Sequence, residues 1–76
     1  MNKKEIKDLL IKTNPKLKNY LSKKTNLVDN GLIDSFDIMQ FLSLIENKRK
    51  KKINFSKITR KNFYTLDTIY KFTKKL

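Results

Sequence analysis

Asp34 and Ser35 stand side by side in the stretch GLIDSF, Gly31 to Phe36, directly ahead of the most regular apolar periodicity in the chain. An aspartate in that place caps the unpaired amides that open a helix, and the serine becomes the first helical residue. Its hydroxyl then lies at the mouth of a loop, beside backbone N–H groups and at the positive end of the helix dipole. Such a hydroxyl suits attachment of an anionic group, a phosphate above all. Serine and aspartate are also ordinary residues at helix starts, so the pair gains meaning only from its neighbours.

Catalysis by the chain alone is not expected. Histidine and cysteine are both absent, which removes the commonest general base, the commonest zinc ligand, thiolate metal sites and disulfides. No nucleophile and base pair, metal-ligand cluster or glycine-rich loop replaces them. The chain is therefore expected not to be an enzyme and to hold no metal.

The elements that must position Ser35 are legible as periodicity. Ile38, Phe41, Leu42 and Ile45 fall at i, i+3, i+4 and i+7 in DSFDIMQFLSLIENK, an apolar stripe wide enough to face a core. Asp37 adds negative charge in the first turn, and Lys48, Arg49, Lys50, Lys51 and Lys52 follow at the other end, where positive charge suits the dipole. Ile6, Leu9 and Leu10 predict an earlier helix over Asn2–Thr13. Asn14-Pro15 interrupts it and can open a short second turn or helix to about Leu21, burying Leu17, Tyr20 or Leu21. From Ser22 to Ile33 the periodicity fails, and Asn26, Asp29, Asn30 and Gly31 mark a long loop that Leu27, Val28, Leu32 and Ile33 pin to the core.

After the basic run, KINFSKI reads as an extended connection plugging the core with Ile53 and Phe55. Thr59 can cap a turn reaching Phe63, and Thr65 a last helix with Leu66, Ile69, Tyr70 and Thr73 on one face. The expected architecture is all-α: three main helices plus one or two short ones.

Bulk composition sets the remaining bounds. A chain of 76 residues, 38% hydrophobic and 34% charged, has apolar material for a single small core, so residues 1–76 are read as one domain. The apolar run Leu9–Ile11 is too short for a signal core or a membrane span, which gives a cytoplasmic location by default. The net charge is +12, from 19 Lys and Arg against 7 Asp and Glu. That balance points to an anionic partner, although the abundance of Lys, Asn, Ile, Phe and Tyr equally fits drift toward AT-rich codons.

The stretch NLVDNGLIDSFDIMQFLSLIE resembles the acyl carrier protein family around its phosphopantetheine attachment site, where a Gly, two apolar residues and an Asp-Ser pair open the second helix. Here those positions are Gly31, Leu32, Ile33, Asp34 and Ser35. Downstream, KINFSKITRKNFYTLDTIYKF looks like the family's short third helix and last helix, with Phe63 and Ile69 at core positions. The resemblance covers roughly Thr25 to Phe72, and freestanding carriers of the D-alanyl type are nearest in flavour.

It implies a four-helix carrier bundle with a long loop before the second helix. It also implies a 4'-phosphopantetheine arm moved from coenzyme A onto Ser35 by a phosphopantetheinyl transferase, bringing in the thiol that the chain lacks. Asp34 would fix the helix start, while Phe36, Met39 and Asp37 would face partners: loading ligases and acyltransferase or synthase enzymes of fatty acid or secondary metabolite biosynthesis. A monomer is the default. Carriers of the family are usually acidic along the second helix and dock on basic patches. This chain is basic, and Gln40 and Ser43 interrupt that face, so acidic or apolar docking surfaces in a dedicated pathway are expected. The alternative is a basic helical module that binds nucleic acid or an anionic surface through Lys48–Lys52. It leaves the serine's surroundings unexplained and has no base-reading motif, so specific nucleic acid is not expected.

Overall fold

The first helix, α1, spans Lys3–Thr13 and is set by a reciprocal cap: Asn2 Oδ1 accepts the Glu5 N–H at 2.8 Å, and Glu5 Oε1 accepts the Asn2 N–H at 3.2 Å. The structure, a computed structural model, describes residues 1–22 and 24–76. Asn14 ends α1 in an extended conformation, as the residue before a proline must, and its side chain accepts the Lys16 N–H. The short turn or helix expected to reach about Leu21 is a 3-10 turn over Pro15–Asn19, burying Leu17, with Leu21 buried just beyond it. The loop expected over Ser22–Ile33 is a series of turns; its Lys23 lies outside the described residues.

The longest helix, α2, runs over Ser35–Arg49, and the last, α3, over Leu66–Lys74 behind a Thr65/Thr68 capping box. Between them lie 3-10 turns at Phe55–Lys57 and Arg60–Phe63. No strand occurs among the described residues. One expectation for this connection needs correcting. Ile53 packs against the core, but Phe55 is exposed, because Asn54 Oδ1 accepts the Ser56 N–H and hydroxyl and closes a turn there; Ile58 packs instead.

The core draws Ile6 and Leu10 from α1, Phe41, Leu42 and Ile45 from α2, and Leu66 and Ile69 from α3. Ile38, the fourth member of the α2 stripe, is half-buried. Phe63 fills the space between helices, edge-on to Phe41 at 6.0 Å and tilted against Phe72 at 5.8 Å. The radius of gyration is 11.2 Å, close to the ~11 Å expected for a compact chain of this length.

Charged ties on the surface repeat these packing relations. Lys48 on α2 meets Glu5 on α1 at 2.9 Å, and Lys3 on α1 pairs with Asp67 on α3. The Lys48 ammonium, then the Asn2 N–H, holds the Glu5 carboxyl below the usual range, and Lys3 does the same for Asp67. Both pairs are exposed, where ion pairs contribute little to stability.

Candidate functional site

The loop that delivers Ser35 is held by its own polar groups. Asn26 Oδ1 accepts the N–H groups of Val28 and Asp29, and the N–H groups of Leu32 and Ile33 both donate to the Leu27 carbonyl. The Leu27 N–H donates in turn to the Tyr64 carbonyl at 2.7 Å, tying the loop to the segment before α3. Gly31 takes φ of +68°, a left-handed conformation that favours glycine, and a side chain there would meet no neighbouring atom. Buried Leu27 and Ile33 anchor the loop on the core, so Asp34 reaches α2 from a fixed direction.

At the helix start, Asp34 is the N-cap. Its Oδ1 accepts the Asp37 N–H at 2.9 Å, while Asp37 Oδ2 accepts the Asp34 N–H at 3.2 Å. Ser35 is the first helical residue and is exposed. Its hydroxyl makes no hydrogen bond to any described residue, and the N–H groups of Ser35 and Phe36 have no protein acceptor among them. A free hydroxyl thus sits with two unpaired amides at the positive end of a 15-residue helix. Chemically, the arrangement offers an accessible hydroxyl for attachment of a phosphate, with two N–H donors beside it.

Phe36 and Met39, one turn apart, are 68% and 47% exposed, so neither belongs to the core. They line a groove of about 420 Å³ between the end of α1 and α2, together with Lys12, Thr13, Gln40 and Leu44. Asp37 does not share that face. It is half-buried, with its carboxylate turned back onto the Asp34 N–H and to within 3.4 Å of the Asn14 amide.

Asn14 is the residue that sequence reasoning missed at this site. Its side-chain N–H₂ also reaches the Leu32 carbonyl at 3.3 Å, bracing both the loop and the capping box from the end of α1. Asn14 and Asp37 lie 23 positions apart, and no local spacing rule links residues at that distance.

Three members of the basic run Lys48–Lys52 lie in α2 or cap it, each in a different setting. Lys48 pairs with Glu5, the Arg49 guanidinium donates to the Thr73 carbonyl at 3.2 Å, and Lys50 takes the left-handed cap position at φ 52°. No helix among the described residues is long and apolar enough to cross a membrane. No protein-family model, curated protein or solved structure matches the chain.

Proposed function

We propose that this chain is a freestanding acyl carrier protein, bearing a 4'-phosphopantetheine arm on Ser35 and delivering an acyl or aminoacyl cargo to partner enzymes. The observation that carries the reading is the Ser35 hydroxyl: exposed, unpaired, first in α2 and flanked by two amides without acceptors. The Asp-Ser pair and the apolar register around it supply the family resemblance. On this reading the bundle is the carrier arrangement, with the Arg60–Phe63 turn in the place of the short third helix.

The residues present fit such an attachment. Asp34 fixes where the helix begins, so Ser35 Oγ is presented to a transferase at a constant height above the loop. A phosphodiester formed on that oxygen projects away from the core, and its charge is favoured by the dipole and by the Ser35 and Phe36 N–H groups. When bound, the arm supplies a terminal thiol that holds cargo as a thioester, which explains how a chain without cysteine can serve sulfur chemistry. The Phe36 and Met39 groove supplies an apolar contact for the enzymes that load and unload it. The chain itself is not an enzyme, and it works as a cytoplasmic monomer in a dedicated biosynthetic pathway.

Incubating the purified chain with a promiscuous phosphopantetheinyl transferase and coenzyme A, then measuring intact mass, tests the reading. The expected result is a gain of one phosphopantetheine that disappears in Ser35→Ala, a variant whose stability stays within about 0.5 kcal/mol of the parent. No gain with several transferases overturns it.

A further inference from the structure

At the opposite end of α2, about 21 Å from Ser35 along the helix axis, the ends of α2 and α3 are joined by the Arg49 bond to the Thr73 carbonyl. Beside that junction lies a cleft of about 490 Å³. Five cations line it: Arg49, Lys51, Lys52, Lys57 and Lys75. Its apolar surface comes from Ile53, Phe72 and Leu76. No aspartate or glutamate is among the lining residues.

The two remaining side chains, Asn54 and Asn62, sharpen the chemistry. Each has its carboxamide oxygen occupied within its own turn: Asn54 Oδ1 by the Ser56 N–H and hydroxyl, Asn62 Oδ1 by the Thr59 N–H at 2.8 Å and the Thr59 hydroxyl at 3.2 Å. What they leave for a visitor is N–H₂ donors. The polar side chains of the cleft therefore offer donors and positive charge, a set that complements phosphate oxygens.

Lysines also gather at helix C-termini for reasons of dipole alone. Each helix end amounts to roughly half a negative charge, so two ends account for about one of the five cations. Glu46, whose carboxylate accepts the Ile53 N–H, and the terminal carboxylate of Leu76 offset two more at most. An excess of about two positive charges remains over a concave apolar surface, and the cleft has the size of a small-molecule site.

We propose that this cleft binds a small molecule in which a di- or triphosphate is joined to an apolar body. The phosphates meet Lys51, Lys52, Lys57 and Lys75, and the body covers Ile53 and Phe72. A nucleotide and a prenyl diphosphate share this chemistry. The site stands apart from Ser35, and the proposal does not rest on the carrier reading.

Amide chemical shifts of the full chain, followed at about 0.15 M salt to screen loose contacts, provide the test. Three titrations use ATP, geranyl diphosphate and inorganic pyrophosphate. The expected result is saturable shifts centred on Ile53, Asn62 and Phe72, with at least one organic ligand binding more tightly than pyrophosphate. The tighter of the two organic ligands identifies the source. Lys51→Glu combined with Lys75→Glu is expected to weaken binding about tenfold, and Ser35→Ala to leave it unchanged. Lys51→Gln with Lys75→Gln serves the same purpose should the reversed charges disturb the fold. Pyrophosphate binding as tightly as both organic ligands, shifts spread over all surface lysines without saturation, or displacement by a nucleic acid hairpin at lower concentration each overturn the proposal.

Discussion

Among the groups that position Ser35, the Asp34 cap is the nearest, and its contribution can be measured. Asp34 accepts the Asp37 N–H, and replacing such a cap with alanine costs about 1 kcal/mol. Asp34→Ala is therefore expected to lower the unfolding free energy by that amount, read as a lower urea midpoint at unchanged slope, while Asp34→Asn, which keeps an acceptor, loses markedly less. An unchanged midpoint in Asp34→Ala removes the cap from the account of how Ser35 is placed. On the carrier reading, comparing loading in the two variants then separates capping from recognition: Asn preserves the helix start but not the carboxylate a transferase would read. At this scale the sequence was informative about caps, because Asn14, Asp34 and Thr65 each act on an amide two or three residues away. It was silent about where the Asp37 carboxylate points. Beside the local Asp34 N–H, that carboxylate faces the Asn14 amide, which arrives from the end of a different helix.

Elements were legible wherever one face had to be buried. α2 and α3 lie where periodicity and caps place them, since a stripe such as Phe41, Leu42 and Ile45 satisfies only the helical repeat. The short segments were harder to read. Pro15–Asn19, Phe55–Lys57 and Arg60–Phe63 are each five residues or fewer, too short for periodicity to distinguish α from 3-10 geometry, and Phe55 was misplaced for that reason. The end of α2 carries a consequence of its own. Lys50 occupies the left-handed cap position, where a residue with a Cβ is strained, although its N–H still donates to the Glu46 carbonyl. Lys50→Gly relieves that strain at some cost in unfolded-chain entropy, so the variant is expected to be ~0.5–1 kcal/mol more stable in urea melts. Lys50→Ala serves as the control, since it removes the charge but keeps the strain. An equal gain in both variants assigns the effect to charge.

For the molecule as a whole, the net charge of +12 acts together with the way α2 uses its acids. Asp34, Asp37 and Glu46 each have a carboxylate oxygen engaged by a backbone N–H, of Asp37, Asp34 and Ile53 respectively. The face that α2 offers beside Ser35 is instead Phe36, Met39, Gln40 and Ser43, with Lys12 across the groove. The family it resembles docks through acidic residues of this helix. On the carrier reading, an enzyme with a basic docking patch would meet here an apolar strip set in a positive field, and like charges brought together slow the encounter. Screening reverses the usual trend, because the Debye length shrinks from about 30 Å at 0.01 M salt to about 8 Å at 0.15 M. On the carrier reading, loading of Ser35 by a transferase with a basic docking surface is expected to quicken as salt is added over that range. With an acidic docking surface, it is expected to slow. Initial rates at several salt concentrations, with each type of transferase, decide the matter. A rate that starts high with the basic enzyme and falls with salt, as for an acidic carrier, would show that the engaged carboxylates still govern docking and that the lysines around them do not.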